Sequence, residues 1–344
     1  MLRCMQKQRK GEGGSKSREF AKPKVVLSKC IEFEKCRYDG RLVSSDFVKK
    51  LIPYVEFIHV CPEVEIGLGT PRNTLRIVSF NGELRLIQPA TILDVTEKMR
   101  SFVDDFLNSL PDVDGFILKS RSPTSGFKDA RVYSSVKKGS AVKSKGPGLF
   151  GNAVLHRFPY LAIEDEGRLR NSRIKEHFLT KLFTLASFRK TKTTGSFEKL
   201  VQFHSENKLL LKAYNQKETK ALGRIIANRK SKPFDKIIGD YQQRLFEALK
   251  RPPRCGSNLN VMMNVMGYFS SELSKEEKTF FLDSLQKYKN GILPSSVNIT
   301  ILRLWIEKYK EDYLLKQTFF EPYPQELMDI NAMTVYCDGK DYWK

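Results

Sequence analysis

VEFIHVCPEVEIGLGTPR occupies residues 55–72, and its two halves differ in kind. Residues 55–60 form a largely apolar run that is typical of a buried strand. From Cys61 onward the stretch is rich in glycine and proline, which restrict the backbone too strongly for a regular helix or strand. The sequence therefore predicts a strand that ends at Cys61 and continues into a tightly shaped loop.

Two other apolar runs end in the same way. VVLS (25–28) is followed by Cys30, and GFILKS (115–120) is followed by the turn SPTSG (122–126). Loops that leave neighbouring strand ends converge in space, so these positions are expected to line one pocket.

The rest of the N-terminal half supports the same architecture. LRIVSFNGELRLIQ (75–88) predicts a hairpin, because Asn81 and Gly82 both tolerate positive φ. Apolar residues at helical spacing predict a helix over 94–110. Strands that alternate with a helix and end in special residues predict an α/β, Rossmann-like domain with its site at the carboxyl edge of the strands.

Beyond about residue 175 the apolar spacing becomes helical. Ser274 and Glu277 form a capping box that begins a helix, and Gly291 ends it. The predicted buried face of that helix consists of Phe281, Leu285 and Tyr288. Further helices are predicted over 196–213, 216–229, 234–250 and 298–316. The second domain is therefore expected to be all-α.

These patterns divide the chain into four parts. We expect a disordered basic tail at 1–23, an α/β domain at 24–185, an all-α domain at 190–328 and a C-terminal tail at 329–344. The polar stretch RKTKTTGS (189–196) is interpreted as a linker between the two domains.

The charge of the chain is strongly basic and uneven. There are 60 Lys and Arg against 39 Asp and Glu, a net charge of +21. Residues 119–157 contain nine basic residues and one acidic residue, and residues 181–254 contain eighteen basic and six acidic residues. Such an excess attracts polyanions, although solubility alone also explains a basic protein. Nucleic acid is favoured over a membrane, because no strongly apolar helical face or spanning segment accompanies the charge. A soluble cytoplasmic protein is expected.

The six cysteines are few for 344 residues and are expected to be reduced thiols. Cys30 and Cys61 are 31 residues apart, which is not the spacing of a zinc finger or ferredoxin. At two strand ends they are a weak metal signal, and small buried residues are the alternative. Cys36 and His59 are a further zinc alternative, but Cys36 lies in CRYDG, which predicts a surface turn.

Two other patterns give only weak indications of function. KGPGLFG contains G-x-G-x-x-G at Gly146, Gly148 and Gly151, but it opens no βαβ unit and is interpreted as a flexible basic loop. The three acidic residues of IEDEGRLR (163–170) are interpreted as the start of a helix.

Longer motifs resemble a known family. LSKCIEFEKCRYDG, VCPEVEIGLGTPR, LDVTEKM, GFILKSRSPTSG and EDEGRLR resemble, in order and spacing, the thiouracil desulfidase family, formerly domain of unknown function 523. The second half resembles its common fusion partner, domain of unknown function 1722. That likeness rests on ALGRIIAN, NVMMNVMGYF, YKNGILPSSV and QTFFEPYPQELM. Two-domain proteins of this kind are similar to desulfidases that remove sulfur from 4-thiouridine in transfer RNA.

The resemblance implies a cofactor and a set of site residues. In the family, three cysteines hold a 4Fe–4S cluster and leave one iron open to the substrate's sulfur. Cys30 and Cys61 match two of the ligands, and Ser125 stands where the third is cysteine. Glu63 and Ser122 match catalytic positions, with Glu63 moving protons for the water or the leaving sulfur.

Ser125 leaves three alternatives open. Ser125 ligates the cluster weakly, Cys36 takes the third place, or the cluster is lost. In the last case the protein is a non-catalytic RNA-binding protein. A desulfidase for free thiopyrimidines is a further alternative.

The resemblance also implies that the second domain holds RNA, which agrees with the basic excess at 181–254. Six basic residues of that segment are predicted to bind RNA on a face continuous with the pocket mouth: Lys190, Lys192, Lys212, Arg224, Arg229 and Lys230.

Overall fold

The structure, a computed structural model, describes residues 18–137, 139–228, 232–328 and 342–343. Most of the two predicted tails lies outside the described residues, as do Arg229 and Lys230. Within the described residues an N-terminal α/β part is followed by a helical part, so the predicted fold class is confirmed.

A four-stranded parallel sheet forms the centre of the α/β part. Its strand order is β2-β1-β6-β9. The strands are β1 (Lys24–Ser28), β2 (Glu56–Val60), β6 (Gly115–Leu118) and β9 (Ala162–Asp165). The side chains of β6 are fully buried, as expected for a strand that is covered on both faces. Because all four strands are parallel, their carboxyl ends meet at one edge of the sheet.

A second, five-stranded sheet has the order β5-β4-β3-β7-β8. Its strands are β3 (Arg76–Phe80), β4 (Glu83–Gln88), β5 (Leu93–Asp94), β7 (Ala130–Tyr133) and β8 (Val142–Gly146). The predicted hairpin is confirmed as β3 and β4, with φ of 49° at Asn81 and 89° at Gly82. The interpretation of KGPGLFG (145–151) as a flexible loop is wrong, because Lys145 and Gly146 end the strand β8. β8 is an exposed edge strand, which has no apolar alternation to reveal it.

Four helices belong to this part: α1 (Asp46–Leu51), α2 (Pro62–Glu65), α3 (Thr96–Ser109) and α4 (Leu149–Arg157). α3 is the helix predicted over 94–110, and it buries Met99, Val103 and Leu107. α4 begins inside the stretch that was interpreted as a loop.

Helix α5 (Ser172–Thr193) connects the two parts of the chain. Its side chains Phe178, Leu179, Leu182 and Phe183 pack in the core beneath the parallel sheet. Leu185 and Phe188 pack in a core of the helical part. The predicted linker at 189–196 is wrong for residues 189–193, which form the last turns of α5. Lysine, arginine and threonine are tolerated there because a helix end exposed to solvent needs no apolar residues. Gly195, with φ of 62°, follows the end of the helix.

Seven helices follow α5 in the described residues: α6 (Phe197–Tyr214), α7 (Gln216–Ala227), α8 (Phe234–Ala248), α9 (Cys255–Gly267), α10 (Lys275–Lys289), α11 (Ser295–Tyr309) and α12 (Asp312–Leu315). The capping box of α10 is confirmed, as is its buried face of Phe281, Leu285 and Tyr288. The single helix predicted over 298–316 is divided into α11 and α12 at Lys310, where φ is 52°, and α9 has no predicted counterpart.

Two further expectations concern membranes and thiols. Among the described residues, no helix has the length and apolar character to span a bilayer. Cys255 forms a disulfide, so the expectation of reduced thiols is wrong at that position. Cys30, Cys36 and Cys61 are free.

Candidate active site

The carboxyl edge of the parallel sheet opens into a cavity of about 900 Å³. The loops that follow β1, β2, β6 and β9 all contribute to its wall. Five residues singled out from the sequence line this one cavity: Cys30, Cys61, Glu63, Ser122 and Ser125. Parallel strand ends meet as the α/β pattern requires, so residues far apart in the sequence become neighbours.

Three buried thiols meet in the cavity wall. Cys30 and Cys61 are each 8% exposed and Cys36 is 1% exposed. A hydrogen bond with the Cys30 thiol outweighs an opposing one with Cys61 and raises the pKa of Cys36 to about 11. A hydrogen bond with Cys36, together with burial, raises the pKa of Cys61 above its usual range. Cys36 and Cys61 are therefore protonated at neutral pH.

The interpretation of Cys36 as part of a surface turn is wrong. The loop after β1 folds back on itself through hydrogen bonds from Glu34 N to Lys29 O (3.0 Å) and from Val43 N to Cys30 O (2.8 Å). Glu32 adopts φ of 69° within it. This compact loop turns Cys36 inward, next to Cys30.

The zinc alternative finds no support. His59 is exposed on β2, and its ring lies against Phe33, with 4.0 Å between the ring centroids. It does not line the cavity. In the part of the chain that the structure describes, no group of three or more His, Cys, Asp or Glu is placed to hold a single metal ion.

Glu63 is held at both carboxylate oxygens. Arg72 Nε donates to Oε2 over 2.8 Å, and the Thr124 hydroxyl donates to Oε1 over 2.8 Å. Arg72 also donates through Nη1 to the carbonyl oxygens of Cys36 and Gly69, each over 2.9 Å. The Arg72 side chain is only 4% exposed. Arg72, at the end of the loop of residues 62–72, therefore orients Glu63 and holds the loop that carries Cys36.

The turn after β6 is organised around Ser122. Its hydroxyl oxygen accepts hydrogen bonds from the backbone N–H groups of Thr124 (3.2 Å) and Ser125 (3.0 Å). It also lies 2.8 Å from the Thr124 hydroxyl oxygen. Because the single hydroxyl hydrogen of Thr124 is donated to Glu63, the Ser122 hydroxyl must donate to Thr124. A row of hydrogen bonds therefore runs from Ser122 through Thr124 to Glu63. Thr124 was not singled out from the sequence.

The glycines of KGPGLFG support this turn from behind. Gly148 N donates to Gly126 O over 2.6 Å, and Gly151 N donates to Thr124 O over 3.0 Å. A Cβ atom at Gly148 or Gly151 would overlap a carbonyl oxygen of the turn. The G-x-G-x-x-G match thus reflects close backbone packing of α4 against the turn, which only glycine permits.

The acidic residues of IEDEGRLR precede a short 3₁₀-helix, Arg168–Arg170, whose first N–H donates to Asp165 Oδ1 over 2.7 Å, and start no longer helix. Glu164 and Asp165 end β9, and Glu166 lies beside the cavity. Glu166 accepts hydrogen bonds from the Ser120 backbone N–H and hydroxyl, each over 2.8 Å, and forms an ion pair with Lys119. Burial raises the pKa of Asp165 to about 6. Their position directly after an apolar strand is the sequence signal that places them at the sheet edge.

Basic side chains are numerous around the cavity. Eight of them line it: Lys29, Arg37, Arg72, Lys119, Arg121, Lys128, Arg168 and Arg170. Arg121, Lys128 and Arg170 are exposed. Tyr38 lies at the same mouth and is 43% exposed. The mouth therefore combines accessible positive charge with an aromatic ring.

The predicted RNA-binding lysines of α5 lie elsewhere. Lys190 and Lys192 are exposed at the end of α5. Lys192 lies 3.7 Å from Asp112, and the preceding Arg189 pairs with Asp114, directly before β6. These contacts are at the amino edge of the sheet. The 22 residues of α5 span about 33 Å, and the two lysines lie at the end of the helix that is far from the cavity. The prediction that they share a face with the cavity mouth is therefore wrong. Lys212 lies on α6 and Arg224 on α7.

The donor set fits an iron–sulfur cluster. Thiols are the soft ligands that such clusters use, and each would bind a different iron, so a cluster does not require three donors around a single ion. The cavity holds three cysteines in its wall and leaves about 900 Å³ of space. Metal binding would displace the thiol protons.

Each of the two parts of the chain is similar to known proteins. Residues 25–166 match the family described as 2-thiouracil desulfurase, and residues 208–324 match a family of unknown function, DUF1722. The chain is 26% identical over 155 residues to the uncharacterized protein YbgA of Escherichia coli (strain K12), covering 44% of this chain and 92% of YbgA. It is 29% identical over 131 residues to the uncharacterized protein YbbK of Bacillus subtilis (strain 168), covering 36% of this chain and 84% of YbbK.

One similar solved structure is a [4Fe-4S]-dependent thiouracil desulfidase, TudS. It is 27% identical, covers 43% of this chain and 94% of TudS, and has a TM-score of 0.34. The two family matches fall on the two parts of the fold, one on the α/β part and one on the helices. Residues 25–166 are therefore similar to the 2-thiouracil desulfurase family and residues 208–324 to DUF1722, and the two matches lie in one chain.

Proposed function

We propose that this protein is an iron–sulfur-dependent desulfidase that hydrolyses the C–S bond of a thiolated pyrimidine. The observation that carries the proposal is the convergence of buried cysteine thiols and a fixed carboxylate, Glu63, on one cavity. The reaction replaces the sulfur of a thiocarbonyl by the oxygen of water and releases hydrogen sulfide, so no electrons are gained or lost. When bound, the cluster supplies a soft Lewis-acidic iron to the sulfur atom.

Glu63 is the residue suited to proton transfer. The reaction removes protons from one water and delivers them to the departing sulfur. Arg72 and Thr124 hold the two carboxylate oxygens, so Glu63 faces the cavity in one orientation. A carboxylate held in this way takes a proton from water and passes it on.

Ser122 and Thr124 complete this arrangement. Their hydroxyls form a row that ends on Glu63 Oε1. Two backbone N–H groups fix the Ser122 oxygen. The row orients the carboxylate and offers a path for a proton between Glu63 and the cavity wall.

For the substrate we propose 4-thiouridine in transfer RNA. The support is the exposed positive charge of Arg121, Lys128 and Arg170 at the mouth, which suits phosphates on either side of a nucleoside inside the cavity. The net charge of +21 acts in the same direction. Lys212 and Arg224, on the helical part, are proposed to contact more distant phosphates.

A second candidate is a non-catalytic protein that binds thiolated RNA. It is favoured by one observation, the serine at position 125 in place of the family's third cysteine. In this candidate the cavity recognises the base but holds no cluster.

The test is anaerobic purification with iron and sulfide analysis, followed by incubation with transfer RNA that contains 4-thiouridine and, separately, with free 4-thiouracil. The proposal predicts about four irons per chain and loss of the 4-thiouridine absorbance from the transfer RNA. Turnover of free 4-thiouracil alone would overturn the substrate assignment. RNA binding without iron would favour the non-catalytic candidate. Glu63→Gln is the matched control, because it keeps the size of the side chain while removing the acid.

A further inference from the structure

We propose that Cys36 is the third protein ligand of the cluster, so that Cys30, Cys36 and Cys61 hold it and Ser125 does not. This inference rests on the proposed function for the identity of the cluster. It concerns the ligand set, for which the usual cysteine of the turn after β6 is absent from this chain.

The Cys36 thiol lies on the same cavity as the two other cysteines. All three residues, Cys30, Cys36 and Cys61, are buried. The Cys61 thiol also lies 3.7 Å from the carbonyl oxygen of Cys36. Three buried thiols in the wall of one cavity are a set of soft donors.

The backbone at Cys36 is held in place by hydrogen bonds on both sides. Its N–H donates to Glu34 O over 2.8 Å, and its carbonyl oxygen accepts from Arg72 Nη1 over 2.9 Å. Arg72 is itself paired with Glu63. Arg72 thus connects Cys36, the proposed cluster ligand, to Glu63, the proposed proton-transfer residue. Both residues are already held at the cavity.

Ser125 is a poorer ligand for iron than a cysteine. A serine hydroxyl is a hard donor that keeps its proton near neutral pH, whereas a thiol is deprotonated when it binds a metal. Ser125 is 3% exposed and its backbone N–H is bonded to Ser122. The turn cannot easily move, because Gly148 and Gly151 pack directly against it. Ser125 therefore remains a hydroxyl in the cavity wall.

The test is anaerobic reconstitution with ferrous iron and sulfide, followed by iron, acid-labile sulfide and visible absorption measurements. Cys36→Ser should lower the iron content about tenfold or more, since even the loss of an outer-shell partner costs that much metal affinity. Ser125→Ala should retain the iron of the parent protein. The double variant Cys36→Ser with Ser125→Cys should regain iron, because a thiolate returns at the other side of the cavity.

The outcomes separate this inference from the proposed function. If the parent protein binds iron and Cys36→Ser binds as much, the ligand assignment is overturned while the desulfidase proposal stands. A loss of iron in Ser125→Ala would overturn it too, and this variant removes only one buried hydroxyl oxygen and is expected to fold. If the parent binds no iron after reconstitution, both proposals fail. Circular dichroism of each variant checks the fold, and rescue by the double variant shows that any loss in Cys36→Ser is a ligand effect.

Discussion

The hydroxyl of Thr124 donates a hydrogen bond of 2.8 Å to Oε1 of Glu63 and so joins the turn after β6 to the loop after β2. The two residues are 61 positions apart in sequence. This single hydrogen bond links the Ser122 turn to the Arg72 network. It makes Thr124 a positioning residue for the acid.

Thr124→Val removes this hydrogen bond while keeping the shape of the side chain. We expect kcat to fall by up to about 10²-fold, the lower end of the range for general acid–base catalysis, with little change in KM or iron content. Thr124→Ser keeps the hydroxyl and should retain most of the activity. Steady-state kinetics of both variants check this, and equal loss in the two would contradict a role for the hydroxyl.

The packing of α4 against the turn predicts a difference between glycines of the same motif. Gly148→Ala and Gly151→Ala should lower the free energy of unfolding by about 1–3 kcal/mol, because the added methyl group meets a backbone carbonyl. Gly146→Ala is the matched control, since nothing lies within 4 Å of its Cβ position. Urea unfolding measures all three, and an equal loss at Gly146 would show that the turn is not supported in this way.

If the proposed function is correct, RNA affinity should depend on the basic residues at the cavity mouth. Replacing Arg121, Lys128 and Arg170 by alanine should weaken transfer RNA binding and reduce the salt dependence by about 0.9 in log–log slope for each phosphate that is no longer neutralised. The double variant of Lys190 and Lys192 removes charge at the opposite edge of the sheet and should change the slope less. Binding titrations at several salt concentrations compare them. A larger effect at Lys190 and Lys192 would place the RNA on the far side of the protein.

Asp165 predicts a pH dependence of stability. Burial raises its pKa from 3.8 to about 6 in the folded protein. Between these values the folded state binds more protons than the unfolded state, so this residue's contribution to stability falls as the pH rises from about 4 to 6 and stays low above. Asp165→Asn should flatten this part of the profile. Thermal unfolding at a series of pH values measures the difference, and identical profiles for the two proteins would contradict it.

The strands and turns that position the site can be predicted from short stretches of sequence. The apolar runs before Cys30, Cys61 and the SPTSG turn are short and uninterrupted, so both the strands and the meeting of their ends are predictable. The hairpin and the capping box of α10 depend on residues close together in the chain, and both are confirmed.

What could not be predicted depends on partners far apart in the chain. Cys36 faces the cavity because Arg72, 36 residues later, binds its carbonyl oxygen. The glycines of KGPGLFG are explained only by their close packing against the turn at 122–126. Lys190 and Lys192 carry the right charge, but a helix axis places them at the wrong edge of the sheet. Composition reports the charge of a segment and cannot report the direction in which its helix runs.

Helix α5 begins two residues after Arg170, beside the cavity, and continues without interruption to the far edge of the sheet. Its first half is buried under the strands and its second half is buried among the other helices. A continuous helix that is packed at both ends has no hinge, so the α/β and helical parts are expected to move as one rigid body. An RNA held by the helical part would then have to bend, or turn a nucleotide outward, to reach the thiols, because the protein cannot close over it.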